Sequence, residues 1–392
     1  LETSSGIRTA GTVLHCEEFQ ILIVVEKDLG EKVFFSFISV EPWKLLVAQE
    51  ECIKTINSRQ HRLAIKLINE GPLQATNQTI EMIDKGQEKV KQKVLENDIT
   101  VIWGPPGTGK THVMAEIAID FMKRDKKVLV VSHSNVSVDG VVKQIVDMMN
   151  KSGESHILRQ GKVLRYGYVR DPELSKNEYA TGFNFALLHC QDTQRRLDLL
   201  IAEKAELKGN VRLNGDKLVA LEKQIKELRS KIREEEKIIA KKASILATTI
   251  SKVTVDSIFE NVQYDLVMFD EVSMAYVTQI VCAATKAREK FICVGDFKQL
   301  PAIAQEESAK KILCKDIFEY LRISNQQGDI FNHPWLVMLD EQRRMHPDIS
   351  EFINEKIYRK QLKNHESTYA SRESIVASQP LAGTAMNIID LS

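Results

Sequence analysis

No surplus of charge marks this sequence. Its 54 lysines and arginines balance 54 aspartates and glutamates over 392 residues. Bulk electrostatics therefore announces no polyanionic partner, and any nucleic-acid surface has to be local. No apolar run approaches the roughly twenty residues of a membrane helix, which excludes a membrane partner, and the opening residues lack the pattern of a secretory signal. Six cysteines, at 16, 52, 190, 282, 293 and 314, are scattered without a Cys-x-x-Cys pair. That scatter leads away from zinc and towards reduced thiols in an intracellular protein, in cytoplasm or nucleus. A start at Leu1 is expected of a fragment. What is present is an ordinary globular composition, 43% hydrophobic and 28% charged, with length for two or three domains.

One stretch organises the rest. Ile99–Trp103 is apolar and reads as a buried strand. Gly104, Pro105, Pro106, Gly107, Thr108, Gly109, Lys110 and Thr111 follow, fitting G-x-x-x-x-G-K-[ST]. Thr111–Met122 then continues as a helix with Val113, Ile117 and Phe121 on one face. That strand–loop–helix context separates a phosphate loop from a chance match. Glycines at 104, 107 and 109 let backbone N–H groups turn inward around a polyphosphate, at the positive end of the helix. Lys110 supplies a point charge to the outer phosphates, and the Thr111 hydroxyl is placed to ligate Mg²⁺.

Upstream, residues 1–45 alternate like strands, with Gly11–Leu14, Gln20–Val25 and Lys32–Ser36 as candidates and turn signals at Asp28–Gly30. They predict a small barrel-like accessory module or a strand pair packed on the main domain. Residues 46–80 read as a helical stalk, then a polar linker over Asn69–Thr79. From 81 to 185 and again from 243 to 335, short apolar strands alternate with helices. Lys127–Ser132, His156–Leu158, Ser244–Thr248, Asp265–Phe269 and Lys290–Val294 are the strands, and Val136–Met149 is an amphipathic helix. The alternation predicts an α/β fold, a parallel sheet with helices on both faces and ligands at the carboxyl ends of its strands. Residues 186–242 interrupt it. Leu218, Leu221, Ile225, Leu228, Ile232 and Ile239 repeat at heptad spacing there, with breaks at Gly209-Asn210 and Asn214-Gly215. Two antiparallel helices, a coiled-coil stalk open to protein partners, are expected; an intermolecular coiled coil is the alternative. Residues 336–392 hold a charged helical stretch, Pro347–Tyr358, and a polar tail.

Further polar groups fall just past strand ends. Leu266-Val-Met-Phe-Asp270-Glu271 ends in two carboxylates. The first can hold Mg²⁺ through water, and the second can orient and deprotonate the attacking water. Gln299, in Gly-Asp-Phe-Lys-Gln-Leu-Pro, is a neutral donor and acceptor able to touch a γ-phosphate. Ser134 and Asn135 suit sugar-phosphate contacts, although N-capping of the next helix explains them almost as well. Arg343 and Arg344 precede a helix, where either an arginine finger or a solvated basic cluster fits.

In order, these motifs resemble the superfamily-one helicases. The nearest branch holds the nonsense-mediated-decay, senataxin-type and immunoglobulin-mu-binding-type helicases. The shared set is 104–111, Ser-Asn-x-x-Val-Asp at 134–139, Asp-Glu-x-Ser at 270–273, Gly-Asp-x-x-Gln-Leu-Pro at 295–301 and Gln-x-Arg-Met-His-Pro at 342–347. The resemblance implies a RecA-like fold, with ATP held between two lobes and Mg²⁺ as the metal. It implies that Gln87 reads adenine, Lys110 and Thr111 hold phosphate and metal, and Asp270 and Glu271 act as metal residue and general base. Gln299 would couple γ-phosphate state to motion, and Arg344 would reach the γ-phosphate. Ser134, Asn135 and Thr248 or Thr249 would line single-stranded DNA or RNA, with 5′ to 3′ translocation. Arg343 stands where the family has tyrosine, Val272 and Met274 replace Ala and Gln, and Phe297 replaces His. The matching stretch covers the first motor lobe and the threshold of a second, truncated one at 336–392, so weak turnover by this stretch alone is expected. An ATP-gated clamp without unwinding, and a phosphate-loop kinase or GTPase, are the competing functions.

Overall fold

The computed structural model describes residues 43–76, 83–207, 211–304, 306–325 and 327–372, together with 2–3, 7, 9, 11–17, 20–25, 27–29, 36–37, 383 and 385. The chain forms two compact units, Leu1–Val47 with Phe183–Ile239, and Ala48–Gly182 with Ala240–Ser392.

The second unit is built on seven strands. They are β1 (Ile99–Trp103), β2 (Val128–Ser132), β3 (Val163–Arg165), β4 (Ile245–Thr249), β5 (Tyr264–Asp270), β6 (Ala287–Gly295) and β7 (Leu336–Met338). All pair in parallel, in the order β7-β1-β6-β5-β2-β4-β3. Short β-branched runs with no exposed face explain them: every residue of β1, β2 and β5 is buried. One face carries Ile102, Val128, Val130, Ala247, Met268 and Val294. It packs on α1 (Gln87–Glu96), α2 (Lys110–Lys123) and α3 (Asn135–Lys151). The alternate residues, Val101, Leu129, Leu246, Val267, Phe291 and Cys293, are equally buried on the other face. Each fully buried aliphatic side chain contributes about 1.5–3 kcal/mol.

Register places the chemistry. Gly295 pairs with Trp103, Val294 with Asp270, Asp270 with Ser132, and Ser132 with Thr249. Five strands therefore end level, and the loops after them converge on one edge of the sheet.

Three expectations are corrected here. His156–Leu158 is no strand; it lies in the helix Ser155–Arg159, and the strand comes after Gly161 (φ 66°), at Val163–Arg165. A short apolar run fits helix and strand alike, and the glycine decides where the turn falls. Asn69–Thr79 is not a plain linker, because Gly71–Gln74 is helical and Gly71 is buried. A Cβ on Gly71 would lie 2.4 Å from Leu321 and 3.0 Å from Trp335, so glycine permits that close approach. Leu336–Met338 does not open a second lobe; it pairs with β1 and extends the first sheet at its edge.

In the first unit, Gly11–Glu17 and Gln20–Val25 pair antiparallel, as do Glu2–Thr3 and Ser36–Phe37. Helices Gln191–Leu207 and Val211–Lys242 carry the heptad pattern, with Leu218, Leu221, Ile225, Leu228 and Ile232 buried. Lys204 and Glu222 form an ion pair of 2.6 Å between them. Residues 32–35 of one expected strand, 77–79 of the linker and the Gly209-Asn210 break lie outside the described residues. Among the described residues no helix is long and apolar enough to cross a membrane.

Candidate nucleotide site

Beyond Trp103 the chain leaves the sheet. Gly107 (φ 77°) and Gly109 (φ 83°) take left-handed conformations that turn the loop into α2. The Gly104 N–H donates to the Gly295 carbonyl at 2.9 Å, tying the loop to β6. The buried Thr108 hydroxyl donates to the Pro105 carbonyl at 2.7 Å. A Cβ on Gly104 would sit 2.4 Å from Lys110 Cγ, so the lysine stem occupies the space a side chain there would need. Lys110 Nζ donates to the Gly104 carbonyl at 2.9 Å and lies 3.8 Å from Glu271 Oε1. Gln87 opens α1, and its Nε2 lies 3.4 Å from the Cβ position of Gly109.

Asp270 ends β5, buried. The Ser137 hydroxyl donates to its Oδ2 at 2.5 Å and the Glu271 N–H to its Oδ1 at 3.0 Å. Burial, reinforced by the adjacent Glu271, pushes the Asp270 carboxyl up to about 6. Glu271 holds φ 56°, a left-handed conformation that costs a non-glycine residue about 1–3 kcal/mol. Such strain concentrates at functional positions, and here it accompanies a carboxylate that faces Lys110. Two residues on, the Ser273 hydroxyl is buried with no hydrogen-bond partner among the described residues. These observations fit Mg²⁺-bound ATP. Cβ atoms on Gly104 and Gly107 would meet Lys110 and Arg344 at 2.4 and 2.8 Å, a nearby cation would ionise the raised Asp270, and Ser273 keeps a hydroxyl to spare. Lys110, Thr111 and Asp270 offer the ammonium, hydroxyl and carboxylate that a metal–polyphosphate takes.

Gln299 does not point freely at the loop. Its Nε2 donates to Asp296 Oδ2 at 2.8 Å. Asp296 is fully buried and also accepts from Trp103 Nε1 (2.9 Å), the Lys298 N–H (3.1 Å) and the Tyr358 hydroxyl (2.7 Å). Phe297, which departs from the family's histidine, packs on Trp103 with ring centroids 4.7 Å apart. Arg344 is exposed, yet its Cβ lies 2.8 Å from the Cβ position of Gly107. The Arg343 N–H donates to the Gly107 carbonyl at 2.9 Å, and the Arg343 side chain pairs with Glu341 instead. Gln342 shapes this turn, its Oε1 accepting from the N–H groups of Arg344 and Met345.

The strand-contact candidates divide. Ser134 and Asn135 begin α3 at the level sheet edge, and the Ser134 side chain makes no capping bond. Asn135 Oδ1 accepts from Arg165 Nη2 at 2.7 Å. Thr249 is partly exposed. Thr248 is fully buried, its hydroxyl donating to the Tyr166 carbonyl at 2.9 Å, and it lines no surface. In a strand buried on both faces, sequence alternation does not say which threonine faces outward.

Sequence reasoning missed Ser137, Tyr358 and the buried pair Arg165–Asp139. Arg165 is 1% exposed. Its Nε donates to Asp139 Oδ1 at 2.7 Å, and Asp139 Oδ2 accepts from the N–H groups of Arg170 and Asp171. A lone arginine among the apolar residues of Val163–Tyr166 was the available signal, since a buried charge requires a partner.

A parallel sheet whose edge carries a phosphate loop, an Asp-Glu pair and a glutamine-bearing turn defines a protein of the P-loop, RecA-like class. A family model described as an AAA domain matches residues 82–307, more than half of the chain, and a second AAA-domain model matches 319–391. The chain belongs to this AAA-domain family and, within it, to the superfamily-one helicases of the nonsense-mediated-decay and immunoglobulin-mu-binding type. It is similar to "Regulator of nonsense transcripts 1 homolog" of Neurospora crassa, at 29% identity over 279 residues, 70% of this chain and 22% of that one. "DNA-binding protein SMUBP-2" of Rattus norvegicus is 26% identical over 319 residues, 76% of this chain and 29% of that one. "ATP-dependent helicase upf1" of Schizosaccharomyces pombe is 25% identical over 294 residues, 73% of this chain and 28% of that one. The chain thus spans less than a third of the length of these relatives.

Proposed function

We propose that this chain carries the ATP-hydrolysing core of a helicase or translocase acting on single-stranded DNA or RNA. One observation supports it above others: Gly104–Thr111, Asp270, Glu271 and Gln299 follow strand ends on one sheet edge, with Arg344 against Gly107. In this reading the loop amides and Lys110 bind the phosphates, and Gln87 faces the base. Thr111 and Asp270 hold the metal, which when bound neutralises charge on the outer phosphates. Glu271 takes the proton of the attacking water, while Gln299 and Arg344 respond to the γ-phosphate. Ser134, Asn135 and Thr249 contact the strand's backbone, translocation runs 5′ to 3′, and the long helices of the first unit take protein partners. The names of the rat and fission-yeast relatives, a DNA-binding protein and an ATP-dependent helicase, support the same reading.

ATP turnover measured with and without single-stranded DNA and RNA tests this, alongside Glu271→Gln. The native chain is expected to be stimulated by a single strand. The variant is expected to bind ATP with native affinity while turnover falls by at least about a hundredfold, the scale of a lost general base. Retained turnover would remove Glu271 from that role, and stimulation without displacement of a tailed duplex would mark a clamp.

A further inference from the structure

We propose that Ser137 is a positioning residue through which the strand-facing start of α3 sets the orientation of the Asp270 carboxylate. The proposal deepens the ATPase reading above and rests on it.

Ser137 is the third residue of α3, and 133 residues separate it from Asp270. Its hydroxyl nevertheless meets Asp270 Oδ2 at 2.5 Å. The other oxygen, Oδ1, takes the Glu271 N–H. Among the described residues no other side chain hydrogen-bonds to Asp270. The carboxylate torsion is soft, with two broad wells, so a buried carboxylate held only by its neighbour's backbone would be free to turn. Ser137 supplies the second anchor and leaves the remaining lone pairs of Asp270 in a fixed direction.

The opposite side of the same helical turn is held separately. Asn135 and Asp139, four residues apart and thus on one face, both accept from the Arg165 guanidinium. Ser137 lies about 200° around the helix from Asn135. The start of α3 is therefore braced across its diameter, by Arg165 on one side and Asp270 on the other. Ser134 and Asn135, the candidates for strand contact, belong to this braced turn. A strand docking there loads the turn, and the load reaches the metal carboxylate through one hydroxyl. Register makes the path short, because Ser132 at the end of β2 pairs with Asp270 itself.

The experiment compares the native chain with Ser137→Ala and Ser137→Thr, the second of which keeps the hydroxyl. Affinity for a fluorescent ADP is titrated in Mg²⁺ and in EDTA, and ATP turnover is measured with and without a single-stranded oligonucleotide. Ser137→Ala is expected to match native affinity in EDTA. It should lose about tenfold of the gain that Mg²⁺ confers, the scale seen when a metal ligand's own partner is removed. Stimulation by the strand should fall by a similar factor, and Ser137→Thr should restore both. Equal weakening in EDTA and in Mg²⁺ would mean a structural role and would overturn the proposal. So would Ser137→Ala with an undiminished Mg²⁺ gain. A native chain whose ADP affinity ignores Mg²⁺ would instead overturn the underlying ATPase reading, and this proposal with it.

Discussion

Replacing Tyr358 by phenylalanine removes one hydroxyl and leaves its ring beside Trp103, 6.3 Å away between centroids. Among the described residues the hydroxyl is one of four donors to the buried Asp296 carboxylate, and on Oδ2 it shares its place only with Gln299. A hydrogen bond to a charged group contributes about 1.5–3 kcal/mol, and both partners here are buried. At about 2–4 °C per kcal/mol for a large domain, Tyr358→Phe should lower the melting midpoint by about 3–12 °C. Burial, with the nearby Asp296 carboxylate, pushes the phenol above its usual range, so it remains a donor throughout neutral pH. A raised folded pKa gives stability that is present below the unfolded value, near 10, and lost above it. The loss should therefore be the same from about pH 6 to pH 9. Thermal and urea melts of the two chains measure it. A difference under about 0.5 kcal/mol, with unchanged urea slope, would refute the view that Tyr358 is held by Asp296.

Arg165→Met should cost about 3–5 kcal/mol in a urea melt, because Asp139 stays buried with only backbone donors; a loss under 1 kcal/mol would show that the pair adds little. Burial alone would raise the Asp98 carboxyl, but Lys66 and Arg62 more than offset this and hold it at about 2. A depressed pKa gives stability present above the unfolded value, near 3.8, and lost as pH falls towards 2. Asp98→Asn should thus melt lower than the native chain above pH 4, with the gap closing by pH 2; a constant gap would contradict this.

Much of the site was legible because its residues follow rules with local causes. A glycine-rich loop between strand and helix, and an apolar strand ending in Asp270-Glu271, announce themselves over a dozen residues. The level sheet edge followed from βα alternation, which fixes where loops gather though not the strand order. What stayed hidden was long-range. Ser137 and Asp270 are brought together by strand pairing, and Tyr358 reaches Asp296 from 62 residues away. Sequence leaves Thr248 and Thr249 as alternatives because a strand covered on both faces shows no polar side, and burial separates them. Leu336–Met338 is three residues long, too short for periodicity to assign it to one sheet or another.

The contact between the Arg343 N–H and the Gly107 carbonyl is made by backbone alone. Position 343 can therefore vary in size, charge and aromaticity while this tether stays unchanged; only proline, which has no N–H, would cut it. That separates two duties that share one residue. The fastening of this turn onto the phosphate loop is indifferent to mutation, whereas whatever the side chain offers a nucleotide base is open to drift. The exchange of a family tyrosine for Arg343 is a change of the second kind, made at no expense to the first.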